Sequence, residues 1–226
     1  MLSQILTITL KSANLFPNIM LLGWRERHGD SIVILYTYIC ICYGASKMKG
    51  IVFNQLQEFV ESEHGIVLWD KALTACDLPS QGVYVSTMNY DDSELQGLVG
   101  FFCNHLSVDA PTLVRAFGEY LFPRLFVMAP DQAKEAKNLK AFLLMIEDII
   151  HVEVRKLYPD ASLPEFDYQD NNQDLLMLYR SPRKLCHLSE GLIKGAATHY
   201  QEKVSIKQTC CMHHGADHCA IEITFS

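Results

Sequence analysis

Tyr179, Ser181 and Arg183 stand at i, i+2 and i+4 at the end of the segment from Leu175 to Arg183. In an extended strand alternate side chains share a face, so this spacing aims a phenol, a hydroxyl and a guanidinium at one spot. The guest that suits such a spot is a carboxylate. A guanidinium is a planar fork that meets a carboxylate with two parallel bonds, and the two hydroxyls add donors, each charge-assisted bond contributing roughly 1.5–3 kcal/mol net. Taken alone, the string is also what an exposed polar strand face would carry.

A second chemical group lies upstream. His151 belongs to a stretch in which Leu139, Phe142, Leu143, Ile146, Ile149, Ile150, Val154 and Leu157 recur at helical spacing. That periodicity predicts one long amphipathic helix from Asp131 to Tyr158. A lone helical His is commonly structural. A helical His combined with donors for two carboxylates is instead the pair of features a b-type heme requires, an axial nitrogen for iron and cationic partners for the propionates. The chain has no C-x-x-C-H string, which excludes covalent c-type attachment.

Further residues make the pattern specific. Met48-Lys49-Gly50-Ile51-Val52, Ala116 to Phe122, Asp148-Ile149-Ile150-His151, Pro164, Tyr179 to Arg183, Gly191-Leu192 and the tail Cys211 to Cys219 occur in this order. In these motifs the stretch from Met48 to Ser226 resembles the heme-nitric oxide/oxygen binding (H-NOX) domains of the bacterial stand-alone type, which are similar to the heme domain of soluble guanylate cyclase. The resemblance implies heme b with His151 as the proximal iron ligand and Tyr179, Ser181 and Arg183 on the propionates. It implies that Pro164 presses on the macrocycle and distorts it. It further implies that NO binds ferrous iron, that the bond to His151 breaks, and that the relaxed domain signals by contact to a separate protein. In bacterial relatives that partner is typically a histidine kinase or a cyclic-di-GMP enzyme.

The side that meets the gas follows from the same comparison. Where O2-binding relatives place a Tyr donor, this chain has Leu188, and Val52 and Leu192 are expected to complete an apolar wall. The expectation is a sensor for NO, with CO as a second ligand, rather than an O2 carrier. His187 is turned about 100° around the helix from Leu188 and is expected outside the pocket.

A late cysteine cluster forms the second candidate site. Cys186, Cys211 and Cys219 offer three thiolates, and structural zinc favours four Cys or His ligands. Relatives with this tail carry a His at the position of Gln208, so the fourth ligand stays open among Cys210, His213 and His218. A redox-active thiol cluster, with or without zinc, is the alternative. His213, His214, His218 and Asp217 also allow a zinc-dependent enzyme, but no Glu is placed as a general base and no zinc-hydrolase spacing is present, so the chain is read as non-catalytic.

Composition agrees with a soluble sensor. The 226 residues are 49% hydrophobic and 20% charged with a formal net charge of −7. The acidic balance excludes the basic patch of sequence-independent nucleic-acid binding. Eight cysteines, scattered and partly in apolar helical stretches, suit a reducing compartment, and the expected location is the cytoplasm. Leu2 to Leu22 is interrupted by Lys11 and Pro17, and Ile32 to Tyr43 is shorter than the roughly 17–25 residues of a membrane span. Residues 1–47 are therefore expected to be an extension from an upstream start, with a membrane-tethering role for Met1 to Gly44 as the alternative and the domain occupying residues 48–226.

The elements that must position these groups change character along the chain. Helices are predicted ending near Gly65, over Ile66 to Ala75, from the capping Asp91 and Asp92 to Leu106, and from Pro111 to just before Pro123. Val83 to Thr87 is β-prone. After the His151 helix, Leu157 to Asn172 is polar, Asp174 to Arg180 is a strand, Leu185 to Tyr200 a helix, and Lys203 to Met212 and Ala220 to Phe225 two strands around a turn. The result is an α+β fold, helical first and sheet-bearing later, with heme between the two parts.

Overall fold

The computed structural model describes residues 47–226. The expectations for residues 1–46, including both apolar stretches, lie outside the described residues. Among the described residues no helix is long and apolar enough to cross a membrane.

Strand β1 (Lys47–Lys49) pairs with β2 (Asn89–Asp91) and leads into helix α1 (Gly50–His64), followed by α2 (Ile66–Ala75). The predicted strand at Val83 to Thr87 does not form. Its Ser86 carbonyl and that of Met88 just beyond it cap α1 instead, accepting from the N–H groups of Ile51 and Gly50. Those carbonyls satisfy orphan donors of a helix that has no side-chain cap. Helix α3 (Asp92–Leu106) begins at Asp91, whose carboxylate accepts from the Ser93 N–H.

Helix α4 (Ala110–Val127) starts at the Asp109 cap and runs through Pro123 rather than ending before it. Pro123 has no N–H for the Glu119 carbonyl. That carbonyl faces the next long helix, where a Cβ added at Gly195 would stand 2.9 Å from it, so the freed oxygen borders a neighbouring backbone.

The expected single helix from Asp131 to Tyr158 is four pieces. They are α5 (Asp131–Lys134), α6 (Leu139–Met145), a π-helical turn (Ile146–His151) and α7 (Val152–Leu157). The break before α6 has a local cause: the Asn138 side chain accepts from the Ala141 N–H and starts a new helix.

A four-stranded antiparallel sheet follows in the order β3-β4-β6-β5, built from β3 (Glu165–Asp170), β4 (Asp174–Arg180), β5 (Val204–Cys210) and β6 (Cys219–Phe225), with helix α8 (Cys186–His199) between β4 and β5. Strand β3 lies in the segment read as polar, and it is an edge strand. Phe166 and Tyr168 alternate with polar residues and turn toward the core.

Two apolar clusters meet along α4. Phe53, Leu56, Trp69, Leu98, Phe102, Leu113, Phe117 and Leu121 form one, and Phe122, Leu139, Phe142, Leu175, Met177, Ile193 and Ile221 belong to the other. Helices α4 and α8 touch backbone to backbone. A Cβ added at Gly118 would lie 2.6 Å from the Leu188 carbonyl, and one at Gly191 would collide with the Arg115 carbonyl. Only glycine permits that approach.

Candidate functional site

A cavity of about 300 Å³ opens between these elements. Its lining is mostly apolar, from Val52 on α1, Leu121 and Phe122 on α4, Phe142 and Ile146 on α6 and the π turn, and Leu188 and Leu192 on α8. His151, Pro164, Tyr179, Ser181 and Arg183 line the same cavity. The structure thus brings together all eight residues expected around one ligand. His187 is outside, bonded to Glu190 at 3.0 Å and to Arg115 at 3.1 Å.

His151 is 8% exposed. Its Nδ1 lies 2.9 Å from Glu147 Oε2, and among the described residues Nε2 has no hydrogen-bond partner. Burial pulls the imidazole below its ordinary pKa, the Glu147 carboxylate opposing but not reversing the shift. Glu147 stays ionised: burial raises its pKa, but bonds from His151 and Arg155 outweigh that and leave it lowered. The ring is therefore neutral near pH 7, with the proton on Nδ1 and a lone pair on Nε2. Phe166 stacks against it with centroids 5.5 Å apart and planes at 27°.

Tyr179, Ser181 and Arg183 converge, though not as one strand face. Strand β4 ends at Arg180, and Ser181 to Arg183 turn away from it. The Tyr179 oxygen accepts from the Leu185 N–H at 2.8 Å, and burial pushes the phenol up to about 12, so it keeps its proton as a donor. Arg183 is already committed inside the protein. Its Nε donates to Asp92 Oδ2 at 2.8 Å, Nη1 to the Ser162 carbonyl and Nη2 to the Lys47 carbonyl. Asp92 Oδ1 is buried without a partner among the described residues. Asp92 carried no signal for its role, whereas Glu147 carried one in its place four residues before His151 on one helical face.

Cys186, Cys211 and Cys219 also come together, all three buried. Cys211 Sγ lies 3.8 Å from Cys186 Sγ and 3.8 Å from Cys219 Sγ, so no disulfide joins them. Burial pushes the Cys186 and Cys219 thiols up, and the Cys211 thiol beside them adds to the shift. The Nε2 of Gln208 is buried without a partner among the described residues. Of the three candidates for a fourth ligand, Cys210 is bonded to the His218 carbonyl and His218 to Asp217. His213 is likewise bonded, its Nε2 lying 2.7 Å from the Lys184 carbonyl, and its ring nitrogen is within 4.8 Å of Cys186 Sγ in a group with His187 rather than with Cys211 and Cys219.

As a donor set, one neutral imidazole in an apolar cavity rimmed by a protonated phenol, a hydroxyl and a guanidinium fits heme b. The family model described as Haem-NO-binding matches residues 49–208. The fold is similar to the H-NOX protein of Shewanella oneidensis in its Fe(II)NO state, with 38% identity over 79% of this chain and 99% of that one and a TM-score of 0.74. It is similar to the unliganded Fe(II) H-NOX protein of K. algicida, with 31% identity over 79% of this chain and 97% of that one and a TM-score of 0.73. It also resembles the IWP-051-bound H-NOX of Shewanella woodyi in the Fe(II)CO state, with 37% identity over 79% of this chain and 95% of that one and a TM-score of 0.69.

Proposed function

The chain belongs to the Haem-NO-binding family, and from that premise we propose that it is a ferrous-heme sensor of nitric oxide. The observation that supports this most is the joining of a neutral, carboxylate-anchored His151 and the Tyr179–Ser181–Arg183 corner in one apolar cavity. Heme, when bound, supplies the iron that takes up the gas. His151 would hold that iron through Nε2, while Tyr179 and Ser181 offer hydroxyl protons and Arg183 its charge to the propionates. Pro164 would bear on the macrocycle, and Val52, Leu188 and Leu192 would enclose the gas without offering a hydrogen bond. NO needs no such bond, so the wall favours NO and CO over O2. Similar proteins are known in Fe(II)NO and Fe(II)CO states.

In this reading residues 48–226 form the sensing domain, have no catalysis of their own and act in the cytoplasm. Displacement of His151 reaches a separate histidine kinase or cyclic-di-GMP enzyme by contact. The test is His151→Gly: the variant should lose heme on gel filtration and regain it in added imidazole. Retention of a wild-type ferrous spectrum without imidazole would remove His151 from the iron.

The three thiols support a second site. The two 3.8 Å separations from Cys211 Sγ match the edge of a tetrahedron with zinc–sulfur bonds of about 2.3 Å, an edge of about 3.8 Å. We propose structural zinc on Cys186, Cys211 and Cys219, with the fourth ligand drawn from Cys210, His213 or His218, each of which would first leave its present hydrogen bond. Cys211→Ser should lose one zinc per chain and keep its heme. Zinc-free, anaerobically purified wild type would favour the redox-thiol alternative.

A further inference from the structure

Glu147 is held from three sides. Its Oε2 accepts from His151 Nδ1 at 2.9 Å and from the Phe166 N–H at 3.3 Å, and its Oε1 accepts from Arg155 Nη2 at 3.1 Å. The three donors come from the π turn, from β3 and from α7. A carboxylate with this many fixed donors cannot follow a moving imidazole without breaking bonds to two other elements. The Phe166 ring against the imidazole face restricts the remaining freedom of His151. One residue of β3 thus grips both the carboxylate, through its N–H, and the imidazole, through its ring. Single-turn π segments recur at functional sites, and here the turn places this clamp against the cavity.

We infer that Glu147 is a positioning residue that sets how tightly His151 binds iron and how readily NO displaces it; this rests on the reading of His151 as the iron ligand. A carboxylate accepting from Nδ1–H pulls the proton toward itself and makes Nε2 a stronger donor to the metal. It also fixes the tautomer that leaves Nε2 unprotonated. Arg155 opposes the first effect, since its charge draws on the same carboxylate. Release of His151 must break the Nδ1–Oε2 bond while Arg155 and the Phe166 N–H keep the carboxylate in place, so the clamp opposes displacement of the imidazole.

The test uses heme-loaded ferrous protein and the iron–histidine stretching band in resonance Raman spectra, with the rate of His151 release on NO addition as a second readout. Glu147→Gln preserves shape but removes charge; it should lower the stretching frequency and speed release about 10- to 100-fold. Arg155→Met removes the competing cation and should shift the frequency upward. A lowered frequency in both variants would mean that Glu147 only fills space, and an unchanged frequency in Glu147→Gln would equally overturn the inference. Failure of the underlying reading looks different: the wild type would show no iron–histidine band, or the band would survive in His151→Gly without imidazole.

Discussion

The cavity has two kinds of wall. Residues 146–166 present a single nitrogen and fix it with hydrogen bonds, through Glu147, Arg155 and the Phe166 backbone. Helices α1, α4 and α8 present mostly apolar side chains, Val52, Leu188 and Leu192 among them, with the Ser189 hydroxyl of α8 also on the lining, and are fixed by packing, with Gly118 and Gly191 drawing α4 and α8 into backbone contact. The difference teaches how one cavity can be selective in two ways. A bond to iron needs a nitrogen in a set protonation state and direction, which only a satisfied polar network supplies at low dielectric. Discrimination between gases needs the opposite, a close-packed surface from which hydrogen bonding has been withheld.

The Arg183 corner joins the two walls, and breaking it should have the larger effect. Arg183→Ala strands a buried carboxylate on Asp92, which costs about 3–5 kcal/mol in such pairs, and it removes the cationic partner of the propionates. Ser181→Ala deletes one neutral hydroxyl and should cost about 1 kcal/mol. Thermal melts together with heme transfer to apomyoglobin should rank the two in that order, and equal values would show that Asp92 and the propionates do not depend on Arg183.

The apolar wall can be sharpened by adding what it lacks. Leu188→Tyr introduces a donor worth roughly 1.5–3 kcal/mol, about ten- to a hundredfold in O2 affinity, with part of that lost where the α4 contact crowds the phenol. Wild-type ferrous protein should form no stable O2 complex in air. An O2-type spectrum from the wild type would mean that an unrecognised donor reaches the gas.

Local signals were legible in the sequence and long-range ones were not. The bounds of α2, α3 and β4 follow from periodicity and from the Asp91 cap, because a cap and an apolar stripe are properties of a few neighbouring residues. Arg183 and Asp92 meet across 91 positions, and no spacing rule reaches that far. Pro123 misled because a proline is by itself a stop signal, whereas close packing of α4 against α8 is a long-range contact that the local pattern does not show. Val83 to Thr87 has strand propensity, yet its backbone is needed as a helix cap. The helix through His151 hid a π turn, since apolar spacing does not separate 3.6 residues per turn from a locally wider coil. Tyr179, Ser181 and Arg183 converge although the strand stops early, because the turn after β4 keeps the last two on the cavity side.

The decisive measurement is the absorption spectrum of heme-reconstituted ferrous protein titrated with NO under nitrogen. A Soret band at one heme per chain, followed by a change that saturates at one NO per chain, is the expected result. Protein that remains colourless after reconstitution, or a heme spectrum indifferent to NO, would contradict it.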